Sequence, residues 1–150
     1  MNIDFQSKPG DRQGEAVREI EHTADYALLI RGKDLGTLLK NAAMGLYSLV
    51  GSTGKASSRR PPIEKQLTLD AQDAEGLLVD WLSELAYWVE TEWFIGSDIR
   101  FSKISDHHLK AAVKGYRTGG VEKLIKAVTY HDLRIIKTAK GLEATVIFDV

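Results

Sequence analysis

Apolar and polar positions recur along this chain with two different periods, and the change of period divides it into strands and helices. Ala27 to Arg31 is a short apolar run that stops at Gly32, as expected of a buried strand. Leu35, Leu38, Leu39, Ala42, Leu46 and Leu49 then follow helical spacing and form one apolar stripe. Asp34 stands where a side-chain oxygen can accept from the free N–H groups of the first turn, and Gly51 stands where the helix stops. Residues 52–62 hold Gly54, three serines, Arg59-Arg60 and Pro61-Pro62, and read as a loop.

The period falls to two at Ile63, Lys65, Leu67 and Leu69, which predicts a strand with Lys65 near its exposed start. Asp73 caps a second helix whose buried stripe is Leu77, Leu78, Trp81, Leu82, Leu85, Trp88 and Val89, with the two tryptophans as core. From Phe94 the chain turns to strand. Leu109, Ala111 and Val113 alternate with Lys110, Ala112 and Lys114, and Gly119-Gly120 makes a turn. Lys126 to Ile136 is rich in β-branched and aromatic residues and reads as β. If that strand is regular, Thr129 and His131 share a face opposite Lys126 and Tyr130. Ala139-Lys140-Gly141 suits a hairpin turn. Beyond it Leu142, Ala144, Val146 and Phe148 alternate with Glu143, Thr145, Ile147 and Asp149, so Asp149 faces away from the core. The order predicts an α+β domain, two helices packed on a mainly antiparallel sheet.

Composition narrows the classes. At 150 residues and 43% hydrophobic, the chain is expected to be one globular domain over 15–150, with a polar, mobile lead-in over 1–14. The absence of cysteine excludes disulfides, thiolate metal sites and thiol catalysis. No apolar stretch is long enough for a membrane span, and a cytoplasmic location is expected. A net charge of −1 argues against wholesale nonspecific nucleic-acid binding. The charge is unevenly spread, however. Ala71 to Ile99 has no Lys or Arg but seven carboxylates, whereas Leu109 to Lys140 is lysine-rich, which reads either as solvated faces on both or as an acidic face and a basic face, a weak pointer to a charged partner.

Three polar segments stand out against this framework: Glu21-His22-Thr23-Ala24-Asp25, Lys126-Ala127-Val128-Thr129-Tyr130-His131, and the closing Asp149-Val150. If Asp25 and Asp149 meet, they and the Val150 carboxylate or carbonyl offer hard oxygen ligands to Ca²⁺ or Mg²⁺. The alternative is a loop Asp and a strand-end Asp that never meet. His22 reads as a ligand, a base or an orienting hydrogen-bond post, or simply as an ordering loop residue. Lys126 reads as a point charge for a phosphate, or as an exposed strand lysine. His107-His108 lacks the partner spacing of a zinc site.

Those three segments, in that order, resemble the signatures of the archease family, with Lys126 to Leu133 and Phe148-Asp149-Val150 as the second and third. The helix Leu35 to Leu49 and the run Leu77 to Leu85 are similar to that family's two helices. The resemblance covers roughly Glu21 to Val150. Residues before Glu15 and the 52–62 loop match no family feature. The resemblance implies a fold built around a strand-helix-strand-strand module. It implies a protein cofactor, not an enzyme, that promotes guanylylation and multiple turnover of an RtcB-type RNA ligase in tRNA splicing and RNA repair. RNA would be met only through the ligase complex. It further implies that Asp25, Asp149 and Val150 hold a divalent metal, Ca²⁺ foremost with Mg²⁺ or Mn²⁺ as alternatives. Lys126 would serve activation, and His22, Thr129 and His131 would serve activation or partner contact. A stand-alone metal-dependent phosphoesterase and a general chaperone or scaffold are the rival readings.

Overall fold

A computed structural model describes residues 16–21, 25–53 and 61–150, with 18–21 described by backbone pairing alone. The expected lead-in over 1–14, His22 and most of the 52–62 loop lie outside the described residues. Ten elements follow in order: β1 (Val17–Glu21), β2 (Tyr26–Gly32), α1 (Leu35–Val50), β3 (Ile63–Asp70), α2 (Ala74–Glu92), β4 (Phe94–Ile104), β5 (His108–Arg117), β6 (Ala127–Thr129), β7 (Ile136–Thr138) and β8 (Gly141–Asp149).

The strands form two antiparallel sheets rather than one. The first runs β1-β2-β8-β6, with β7 also paired to β8; the second runs β3-β5-β4. The strand-helix-strand-strand succession is present as β3-α2-β4-β5. Both helices serve both sheets: α1 packs against β2 and reaches β4, and α2 packs against β3, β4, β5 and β6. A single core results, because each helix buries its apolar stripe between the two sheets. No helix among the described residues is long and apolar enough to cross a membrane.

Local chemistry sets the helix ends. Asp34 Oδ1 accepts from Thr37 N at 2.8 Å, and Gly51 closes α1 at φ 68°, a left-handed conformation that glycine adopts without a side-chain penalty. Asp73 Oδ1 accepts from Gly76 N at 2.7 Å to start α2. Trp81 is fully buried and satisfies its indole N–H on Leu39 O at 2.9 Å, so the largest core residue also ties the two helices together. Gly45 lets α1 approach the first sheet closely: a Cβ there would meet Leu28 Cδ1 at 3.0 Å and Val17 Cγ1 at 3.1 Å.

Three expectations need correction. Lys65 is not an exposed strand start. It lies on the helix-facing side of β3, its side chain 20% exposed, with Nζ 2.7 Å from Glu92 Oε1 and 5.1 Å from the Trp88 ring centroid. Residues 126–136 are not one strand: pairing stops at Thr129, the chain turns with Asp132 at φ 58°, and β7 starts only at Ile136. Thr129 and His131 therefore do not share a strand face. The lysine-rich segment is also not one face. Lys110 and Lys114 pair opposite Thr68 and Glu64 on the side of β5 away from the core, whereas Lys137 and Lys140 flank the β7–β8 hairpin.

Candidate functional site

The candidate site is built by the register of β8. Ala144, Val146 and Phe148 point into the core, which leaves Thr145 and Asp149 exposed on the other face. Tyr26 pairs with Phe148 from β2 on one side, and Val128 pairs with Phe148 from β6 on the other. One step toward the strand end, Ala127 pairs with Asp149. Continued by one residue, the β2 register sets Asp25 opposite Asp149 as well. Asp25 is half-buried and Asp149 exposed. Glu21, at the end of β1, pairs with Tyr26, at the start of β2. Glu21 and Asp25, the described residues of the first motif, thus lie at the same end of the first sheet as Asp149.

The second motif joins them through its backbone. Lys126 N donates to Asp149 O at 2.7 Å, which sets Lys126 in register with Val150. The Lys126 position is exposed, and Val150 packs part of its side chain on the core. Lys126 lines a shallow cavity of about 160 Å³ between β6 and α2, along with Val128 and with Ser83, Tyr87 and Glu90 of the helix. Thr129 is half-buried, on the same face as Ala127 and Asp149 but two positions along.

His131 is carried elsewhere. It sits in the turn after β6, its side chain 83% exposed, with Nε2 3.1 Å from Asp132. That turn is anchored to the start of α2, where Tyr130 Oη donates to both Asp73 oxygens at 3.0 Å and Ile135 N donates to Glu75 Oε2 at 3.0 Å. The Asp73 hydrogen bond, followed by slight desolvation and nearby carboxylates, holds the Tyr130 phenol above its ordinary value. His107 and His108 bind within the fold, to Gln72 O at 2.9 Å and Asp70 Oδ1 at 2.7 Å.

Two features were not legible in the sequence. Lys123 Nζ lies 5.1 Å from the Tyr26 ring centroid, so a second cation stands beside the residue that follows Asp25. Nothing in the spacing of 26 and 123 signals that pair. The Tyr87 side of the Lys126 cavity was also hidden, although its position on the polar face of α2 was readable from the helical period.

As a donor set, Asp25, Asp149 and the Val150 oxygens suit a hard, oxygen-preferring cation, and backbone or water oxygens are needed to fill six to eight positions. Among the described residues no group of three or more His, Asp or Glu side chains gathers.

Comparison with known proteins identifies the family. A family model described as the archease protein family matches residues 18–150. A protein archease of Methanosarcina acetivorans is 34% identical over 146 residues, covering 92% of this chain and 98% of that protein. The protein archease of Archaeoglobus fulgidus is 34% identical over 138 residues, covering 89% and 98%. Two solved structures share the fold. A solution structure of a Methanobacterium thermoautotrophicum protein has a TM-score of 0.67 at 26% identity, covering 90% of this chain and 99% of its own. The crystal structure of an archease from Thermotoga maritima, described there as a possible chaperone, has a TM-score of 0.63 at 25% identity, covering 89% and 96%. With the family match running from β1 to Val150 and relatives 34% identical over most of the chain, this chain belongs to the archease family.

Proposed function

We propose that this protein is a non-enzymatic activator of an RtcB-type RNA ligase in tRNA splicing and RNA repair. In this reading it promotes ligase guanylylation and repeated turnover from the end of the first sheet. Asp25, Asp149 and Val150 hold a divalent cation, Ca²⁺ foremost, and Lys126 stands beside it as a second positive group. The observation that carries the reading is the meeting of β2 and β6 on β8: Tyr26 and Val128 both pair with Phe148, one residue short of Asp25 and Asp149, and the Lys126 N–H donates to Asp149 O. A bound cation would offset charge developing on phosphate oxygens during guanylyl transfer. This chain's own residues would hold that charge, position the Lys126 ammonium and present both to the ligase.

The test is a guanylylation assay of a purified ligase with GTP, with and without this protein. Stimulation is expected with the wild type and is expected to be lost in Asp25→Ala and Asp149→Ala, with calorimetry showing the matching loss of Ca²⁺ binding in folded protein. Wild-type stimulation and ion binding in both variants would remove the site. Hydrolysis of nucleotide or RNA by the protein alone would favour the phosphoesterase reading. The description of the Thermotoga relative supports a chaperone reading instead. That reading predicts suppressed aggregation of unrelated proteins, insensitive to Asp25→Ala.

A further inference from the structure

Among the described residues, no element packs over the outer face of α2 apart from the edge that borders β6. Asp80, Ser83, Glu84, Tyr87 and Glu90 recur at three- and four-residue spacing on the side opposite the buried stripe. No cation forms an ion pair with Asp80, Glu84 or Glu90 among the described residues, whereas Glu92 is held by Lys65 and Arg117. In the middle of this acidic stripe, Tyr87 is 56% exposed, more than any other large hydrophobic side chain among the described residues. It forms one wall of the shallow cavity whose far wall carries Lys126 and Val128. An exposed aromatic over a cavity of mixed polar and apolar lining, bordered by carboxylates without an ion pair, has the anatomy of a docking surface.

We infer that this groove between α2 and β6 docks a basic segment of a protein partner, with an apolar side chain of that segment seated beside Tyr87 and its Arg or Lys side chains meeting Glu84 and Glu90. Charge complementarity selects this occupant. Three unpaired carboxylates along one helix face repel a phosphate backbone, which argues against RNA as the direct contact. They favour a cationic peptide face, whose approach they also steer. The groove meets the candidate site through the Lys126 backbone, whose N–H donates to Asp149 O, so a partner seated there lies against the end of the strand that carries Asp149. The inference rests on the ligase-activator reading and names the face through which it acts.

The experiment measures binding of this protein to the purified ligase, together with half-maximal stimulation of guanylylation. Tyr87→Ala and the double variant Glu84→Lys, Glu90→Lys are each expected to raise Kd by about tenfold or more, while Ca²⁺ calorimetry and melting stay as wild type. Tyr87 is exposed, and the Thr91 Oγ1 bond at this turn uses the Tyr87 backbone oxygen, so truncation leaves the helix intact. Wild-type affinity should fall as salt rises, and the charge-reversed variant should lose most of that dependence. Unchanged affinity and half-maximal concentration in both variants would overturn the docking face while leaving the activator reading standing. No stimulation by the wild type at all would sink the activator reading itself, and this inference with it. Self-association of the protein alone, abolished by Tyr87→Ala in sedimentation, would assign the groove to a second copy and overturn the partner.

Discussion

Two lysines separate what holds the molecule from what it is proposed to do. Lys65 replaces an apolar residue on the helix-facing side of β3. Its stem covers core surface while Nζ sits between Glu92 and the faces of Trp88 and Phe94, 5.1 and 5.6 Å from their centroids. Lys65→Ala should remove that packing and leave Glu92 with Arg117 at 3.9 Å as its remaining cation. A loss of about 1–2 kcal/mol is expected in urea unfolding, with ligase stimulation retained. Lys126 is the reverse case. It is exposed, and its structural bond to Asp149 is made by the backbone, which any side chain short of proline preserves. Lys126→Ala should unfold within about 0.5 kcal/mol of wild type and still bind metal, yet fail to stimulate guanylylation. Lys126→Arg should restore only part, since a planar fork does not reproduce a compact ammonium. Normal stimulation by Lys126→Ala would make the side chain irrelevant to activation, and unfolding of that variant would make it structural.

At the scale of elements, both helices could be read residue by residue. Their caps Asp34 and Asp73 and their stripes depend on local spacing that the chain itself displays, and of the stripe residues only Leu35 is less than buried. Residues 126–136 were harder because β-branched density reports a preference for extended backbone, not where pairing ends. Pairing ends at Thr129 because Tyr130 is drawn to the start of α2, a contact between residues far apart in sequence. Lys65 was misread for a related reason: alternation placed it on the inner face, but its charge argued for exposure, and Glu92 with two aromatic rings resolves that conflict. The Tyr130–Asp73 tie carries a pH signature. Because the folded phenol titrates above its ordinary value of 10.0, its contribution is fully present below that value. It is then lost as pH rises through the folded-state value. The melting temperature of Tyr130→Phe should therefore lie below wild type at pH 8, and the gap should narrow toward pH 11. A gap that is constant across this range would mean the phenol proton does not matter to the tie.

For the whole molecule, the decisive fact is topological. Asp25 and Asp149 belong to motifs at opposite ends of the described chain, and no local pattern states that β2 and β8 are neighbours in the sheet. The chemistry of each residue was readable, whereas their meeting depends on a pairing that only the fold provides. Under the proposed function, that arrangement would make ion binding a property of the folded state, since the unfolded chain holds the two carboxylates apart. An ion that binds only the native form stabilises it by about 2.7 kcal/mol at a free concentration one hundred times its Kd. For a domain of this size each kcal/mol is roughly 2–4 °C, so saturating Ca²⁺ should raise Tm by roughly 5–10 °C over protein in chelator. Asp149→Ala should lose that increment while its melting in chelator stays close to wild type, because the side chain is exposed and its backbone bonds to β6 persist. Mg²⁺ at equal concentration should give the smaller shift: it demands a tight octahedron, whereas two carboxylates completed by backbone and water oxygens suit the looser shell of Ca²⁺. Scanning calorimetry with Ca²⁺, Mg²⁺ and chelator on the wild type, Asp25→Ala and Asp149→Ala decides the matter. A Ca²⁺ increment that survives both substitutions would put the ion elsewhere on the molecule and detach it from the sheet end that Lys126 shares.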